Sequence, residues 1–134
     1  MNRTLAQRRA AYAIARIKEH QQQGNYGNYL SYVEALPAAI HANGLGQAIA
    51  MELAAKDEGH KYLASDVSGW LCGSDEAAPY RDFSPTMDPH ALLSAIVENN
   101  ESRYLWAQSE ALALLVWLKK IARAMLGPEK ETSK

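Results

Sequence analysis

Apolar residues recur at three- and four-residue spacing over most of this chain, and no stretch alternates with the period of two that marks a half-buried strand. The pattern predicts an all-α protein. Residues 3 to 22 read as a first amphipathic helix, with Ala6, Ala10, Ala13, Ile14 and Ile17 on its apolar side. Arg8, Tyr12 and Arg16 recur every fourth residue with Arg9 close by, which predicts one exposed row opposite that side. Gly24-Asn25-Tyr26-Gly27-Asn28 is loop-like, and its last residue is suited to cap the next helix.

The second helix is predicted from Tyr29 to about Ala42 behind Tyr29, Tyr32, Val33, Leu36 and Ile40. Pro37 lacks an amide proton and disfavours a helical residue before it, so a kink or short break is expected near Leu36. Asn43-Gly44 supplies a left-handed stop, and an alanine-rich third helix follows from Leu45 to Ala55. A fourth helix is expected over Lys61 to Leu71, weakened by Ser65, Ser68 and Gly69 but marked by Tyr62, Leu63, Val67, Trp70 and Leu71.

Residues 73 to 89 form the one long loop, with Gly73, Pro79, Pro85, Pro89 and four acids. Asp88-Pro89 then opens a fifth helix to about Glu98, an N-cap followed by proline in the first turn. The sixth, Glu101 to Leu126, is the longest; Ala111, Leu114, Leu115, Trp117, Leu118, Ile121, Ala122 and Met125 make it the central packing element. The expected architecture is a compact bundle of five to six helices in a single domain over residues 1–134, with a disordered polar tail over about 129–134.

Composition adds little beyond this until charge is resolved along the chain. With 134 residues, 48% of them hydrophobic, and a formal net charge of −1, the chain can bury a core of its own and is neither disordered nor supercharged. Residues 1 to 23 carry five bases against one acid, 24 to 101 carry three bases against eleven acids, and 102 to 134 carry six bases against three acids. If the first and last helices pack antiparallel, their bases combine into one positive face suited to an anionic ligand or to head-to-tail assembly. No apolar run is long enough for a membrane helix and the N-terminal residues lack a secretion signal's apolar block, so the expected location is cytoplasmic with no membrane partner.

Candidate chemistry is sparse. Cys72, the single cysteine, has no metal-ligand spacing and no neighbouring cation to lower its pKa, so it reads as a small core residue. His20, His41, His60 and His90 stand singly at loop or helix-end positions, which predicts surface or capping roles and no zinc site. The eleven central acids contain no Glu-x-x-His pair and read as solvated charges. Gly44-Leu45-Gly46 lacks the preceding strand of a nucleotide-binding turn and reads as packing: Gly44 ends a helix, Gly46 permits close backbone approach and Gln47 offers an amide to a neighbour. No catalytic residue, metal site or cofactor is expected. The positive signal is basic: Arg8, Arg9, Arg16 and Lys18 in the first helix and Lys119, Lys120 and Arg123 in the last are candidate RNA-binding residues, with Tyr12 a candidate stacking partner for an unpaired base.

Several blocks together carry a resemblance. Gln7-Arg8-Arg9-Ala10-Ala11-Tyr12-Ala13, Tyr32-Val33 leading into Leu36-Pro37, Ile40 with Asn43-Gly44-Leu45-Gly46-Gln47-Ala48, and Glu110-Ala111-Leu112 with Leu115-Val116-Trp117-Leu118-Lys119-Lys120-Ile121-Ala122 resemble the small subunit of the type III-B CRISPR effector, the Cmr RNA-silencing complex. The likeness spans residues 7 to 124. It implies a small helical protein without catalytic activity, present in several copies, that stacks beside larger Cmr subunits and helps hold target RNA paired with the guide RNA. Where the family often has Lys-Arg after Trp-Leu, this chain has Lys119-Lys120, which keeps the charge and loses arginine's planar fork. A reading of a different class is a helical protein–protein adaptor with no direct RNA contact, working through the acidic middle; a small metal or redox enzyme is a third. Basic ends and an acidic middle also predict head-to-tail stacking on a scaffold, with the free chain mainly monomeric.

Overall fold

Six helices form in a computed structural model of the chain: α1 Leu5–Gln23, α2 Tyr29–Asn43, α3 Leu45–Ala54, α4 Glu58–Leu71, α5 Pro89–Glu98 and α6 Glu101–Leu126. The structure describes residues 2–83 and 86–127, and among them there is no strand. The tail expected over about 129–134, and Pro85 in the acidic loop, lie outside the described residues. No described helix is long and apolar enough to cross a membrane.

Local chemistry sets most boundaries. Thr4 caps α1 by accepting from the Gln7 amide while the Gln7 side chain accepts from the Thr4 amide, a reciprocal pair that starts the helix at Leu5. Asp88 accepts from the His90 amide ahead of Pro89, as the Asp-Pro pair predicts. Asn28 precedes α2, but its side chain makes no capping bond, contrary to expectation. Nor does Pro37 break α2: the helix runs through it, with Val33, Leu36 and Ile40 on both sides buried in the core. The helix α4 begins at Glu58, three residues before its predicted start, with the acidic Glu58 in the first turn where the helix dipole favours it.

The turn between α2 and α3 is completed by α6. Gly44 sits at φ +87° and ψ 159°, a backbone conformation that side chains resist, and donates its N–H to the Ile40 carbonyl. Glycine has no side chain with which to cap α3. The Leu45 amide instead donates to Gln108 Oε1 at 3.0 Å and the Gly46 amide to the Tyr104 hydroxyl at 3.0 Å. Gln47, the amide expected to reach a neighbour, is exposed, and Gln108 takes that part.

α6 lies at the centre, with Ala107, Ala111, Leu114, Leu115, Leu118 and Ala122 buried. α2 runs antiparallel to it, placing Glu34 beside Arg123 at one end and Leu45 beside Gln108 at the other. α1 runs parallel to α6, not antiparallel: Arg9 meets Glu110, and one turn from the other end Gln21 Nε2 donates to the Met125 carbonyl at 3.0 Å. The apolar side read for α1 is also rotated. Ala6 is exposed and Ile14 is 36% exposed, while Ala13, Ile17 and His20 point into the core.

A candidate nucleic-acid interface

The rotation of α1 follows from two acids. Asp66 in α4 and Glu110 in α6 are 0% and 5% exposed, and each needs donors that only α1 and its neighbours supply. Arg16 Nε donates to Asp66 Oδ1 at 2.8 Å; His20 Nε2 and the Tyr29 hydroxyl donate to Oδ2 at 2.7 Å and 2.5 Å. The Tyr12 hydroxyl donates to the Asp66 carbonyl at 2.6 Å. Glu110 receives the Arg9 guanidinium through two bonds of 2.7 and 2.8 Å and the Trp70 indole N–H at 2.7 Å.

Three of the seven candidate RNA-binding residues are therefore turned toward carboxylates. Arg8, with Nε 2.9 Å from Asp75, joins Arg9 and Arg16 in this, so the row expected to be exposed is half-buried and ion-paired. The hydrogen bond it donates to Asp75 holds the Arg8 guanidinium above its ordinary pKa, and the bond donated to Glu110 does the same for Arg9. Burial pulls Arg16 down, but its bond and attraction to Asp66 outweigh that and leave it raised. Tyr12 packs 5.2 Å from Trp70, and burial pushes its phenol far above the usual range; its ring is committed to the core.

The remaining four candidates sit toward one end of the bundle, because α1 and α6 run parallel there. Lys18 and Lys120 are exposed, Lys119 is half-buried, and none of the three has a carboxylate partner among the described residues. Arg123 is exposed and pairs with Glu34.

In the acidic loop Asp75 is half-buried where a solvated charge was expected, while Glu76, Asp82 and Asp88 are exposed as expected. Asp75 binds Arg8, Asp82 accepts from Arg103 at 3.0 Å, and Tyr80 is fully buried between them, its amide donating to the Leu71 carbonyl. His20 is buried rather than on the surface, stacked 4.6 Å from Tyr62, and His60 stacks 3.5 Å from Tyr32 while bonding Glu52. Cys72 is buried as expected, and burial raises its thiol pKa. Asp66 and Glu110 were not singled out from sequence, yet a signal existed. Asp66 lies between Leu63 and Trp70 on the apolar side of α4, and Glu110 between Ala107 and Leu114 on that of α6.

Fold and site define a small all-helical module with a polar seam inside it and, toward one end, three lysines without a carboxylate partner among the described residues. A family model described as "CRISPR-associated protein (Cas_Cmr5)" matches residues 5–125. The chain therefore belongs to the Cmr5 family, the small subunit of the type III-B Cmr effector, as the sequence blocks suggested. It is also similar to a solved structure described as a CRISPR-associated Cmr5 family protein from Thermus thermophilus, at 26% identity and a TM-score of 0.74 over 93% of this chain and 99% of that one.

Proposed function

We propose that this chain is a non-catalytic, cytoplasmic subunit that stacks in several copies alongside the larger Cmr subunits and helps hold target RNA paired with guide RNA. The observation that carries the RNA part is the group of cations at the shared end of α1 and α6, where Lys18, Lys119 and Lys120 have no carboxylate partner among the described residues and Arg123 is accessible. Arg8, Arg9 and Arg16 serve the fold in this reading, since drawing them onto phosphates would leave Asp66 and Glu110 buried without their partners.

Salt dependence separates the two sets of cations. Each phosphate contact on a duplex contributes about 0.9 to the slope of log affinity against log salt, so the free cations give a slope of about 3 and all seven candidates about 6. The expected outcome, for the assembled complex compared with one carrying Lys18→Glu, Lys119→Glu and Lys120→Glu, is a loss of about 3 in slope without any change in base preference. An unchanged slope would support the protein–protein adaptor, a reading that the internal pairing of the three arginines favours.

A further inference from the structure

The longest helix keeps an apolar row outside the core. Leu105 is 56% and Val116 49% exposed, Leu112 is half-buried, and Ser109 between them is exposed. Spacings of four, three and four residues place these positions on one seam, the repeat by which two helices pack side by side. The seam has a charged residue one turn beyond each end, the exposed Glu101 before Leu105 and the exposed Lys120 after Val116.

We propose that this face of α6 docks against the same face of a second copy, antiparallel about a two-fold axis passing between Ser109 and Leu112. In that register Leu105 of each copy meets Val116 of the other, Ser109 meets Leu112, and Glu101 meets Lys120, every contact being made twice; the dimer belongs to the chain free of RNA, since Lys120 cannot serve Glu101 and a phosphate together. A parallel pairing would oppose Glu101 to Glu101 and Lys120 to Lys120, so charge complementarity selects the antiparallel one. Three apolar side chains per copy bury less than the roughly 1,200 Å² of a stable interface, and the dimer is accordingly weak, with a dissociation constant on the order of 0.1–1 mM. The sequence missed this face because only α6's inward residues were read as its apolar side, and head-to-tail contact was expected instead.

Sedimentation equilibrium of the whole chain at concentrations up to about 1 mM tests the proposal, with circular dichroism confirming that each variant stays folded. Dimer should accumulate for the unaltered chain and be lost in Leu105→Glu and in Val116→Glu, both at exposed positions. Glu101→Lys alone should weaken association several-fold, and adding Lys120→Glu should restore it. Spin labels report the geometry. A label at Ala113→Cys, beside the seam, should lie within about 20 Å of its mate, whereas labels at Ser102→Cys should sit about 25 Å apart along the helix axis. A chain that stays monomeric at 1 mM, association indifferent to Leu105→Glu, or Ala113 labels farther apart than those at Ser102 would overturn the two-fold face in favour of head-to-tail contact or another partner.

Discussion

Helices α1 and α6 run side by side, but they meet the rest of the bundle through different chemistry. α6 turns Leu114, Leu115, Leu118 and Ala122 inward, and apart from Glu110 its buried residues are those of an apolar core. α1 turns Arg9, Tyr12, Arg16 and His20 inward beside only Ala13 and Ile17, and its hold depends on Asp66 and Glu110 accepting what those side chains donate. Apolar contacts tolerate truncation in proportion to the area and cavity involved, whereas a buried charge left without its partner costs several kcal/mol at once. The difference teaches that the three arginines of the first helix dock it against the bundle, while Lys18 on the same helix stays exposed.

The largest expected effect breaks the polar side of this comparison. Arg16→Ala leaves Asp66 fully buried without its cation, and should destabilise the protein by about 3–5 kcal/mol. Leu118→Ala should cost a similar amount, about 2–5 kcal/mol, through lost transfer and a cavity. The two are told apart by where the loss appears. Hydrogen exchange should speed selectively over the α1 amides in Arg16→Ala and throughout the core in Leu118→Ala. Uniform exchange in both variants would mean that α1 opens only with the whole bundle.

How much could be read from the sequence divides along the same line. Helices with a clear stripe or a clear cap were legible: α6 closes at Leu126 as its stripe predicts, and α5 starts where Asp88-Pro89 says it should. The face of α1 was not legible, because arginine and tyrosine at four-residue spacing look like a solvent row unless their acceptors are known. Those acceptors lie 50 and 101 residues away in sequence; Asp66 reads with the other central acids as a solvated charge, and Glu110 is one polar position in an otherwise apolar stripe. Asp75 in the acidic loop was not legible for the same reason, since its arginine lies 67 residues away on α1. The exposed end of the candidate interface was legible as residue type, and the division of its cations into free and paired was not.

A smaller effect sharpens the apolar side, at the corner where α6 completes α3. Gly44→Ala places a side chain at φ +87°, and its Cβ would lie 2.9 Å from the Tyr104 hydroxyl that accepts from the Gly46 amide. Strain of this kind costs about 1–3 kcal/mol. Thermal unfolding should register that loss, while Gln108→Ala, which removes only the acceptor for the Leu45 amide, should cost about 1–2 kcal/mol.

The smallest effect concerns the acidic loop and depends on pH. Burial alone would raise the Asp75 pKa, but the Arg8 guanidinium and the Ala77 amide donate to its carboxylate and more than offset that, so the folded protein holds it below the ordinary carboxylate value. A carboxyl group with a depressed folded pKa contributes stability above its unfolded pKa of about 3.9, and that contribution disappears as pH falls through the folded value. Asp75→Asn removes the titration while preserving the side chain's shape. The variant should be less stable than the parent at pH 7, the gap should begin to close near pH 4, and the two unfolding curves should coincide at lower pH. A gap that stays constant from pH 7 to pH 2 would show that the Arg8 pair contributes nothing to stability and that the loop is held by the buried Tyr80 and the Asp82–Arg103 pair.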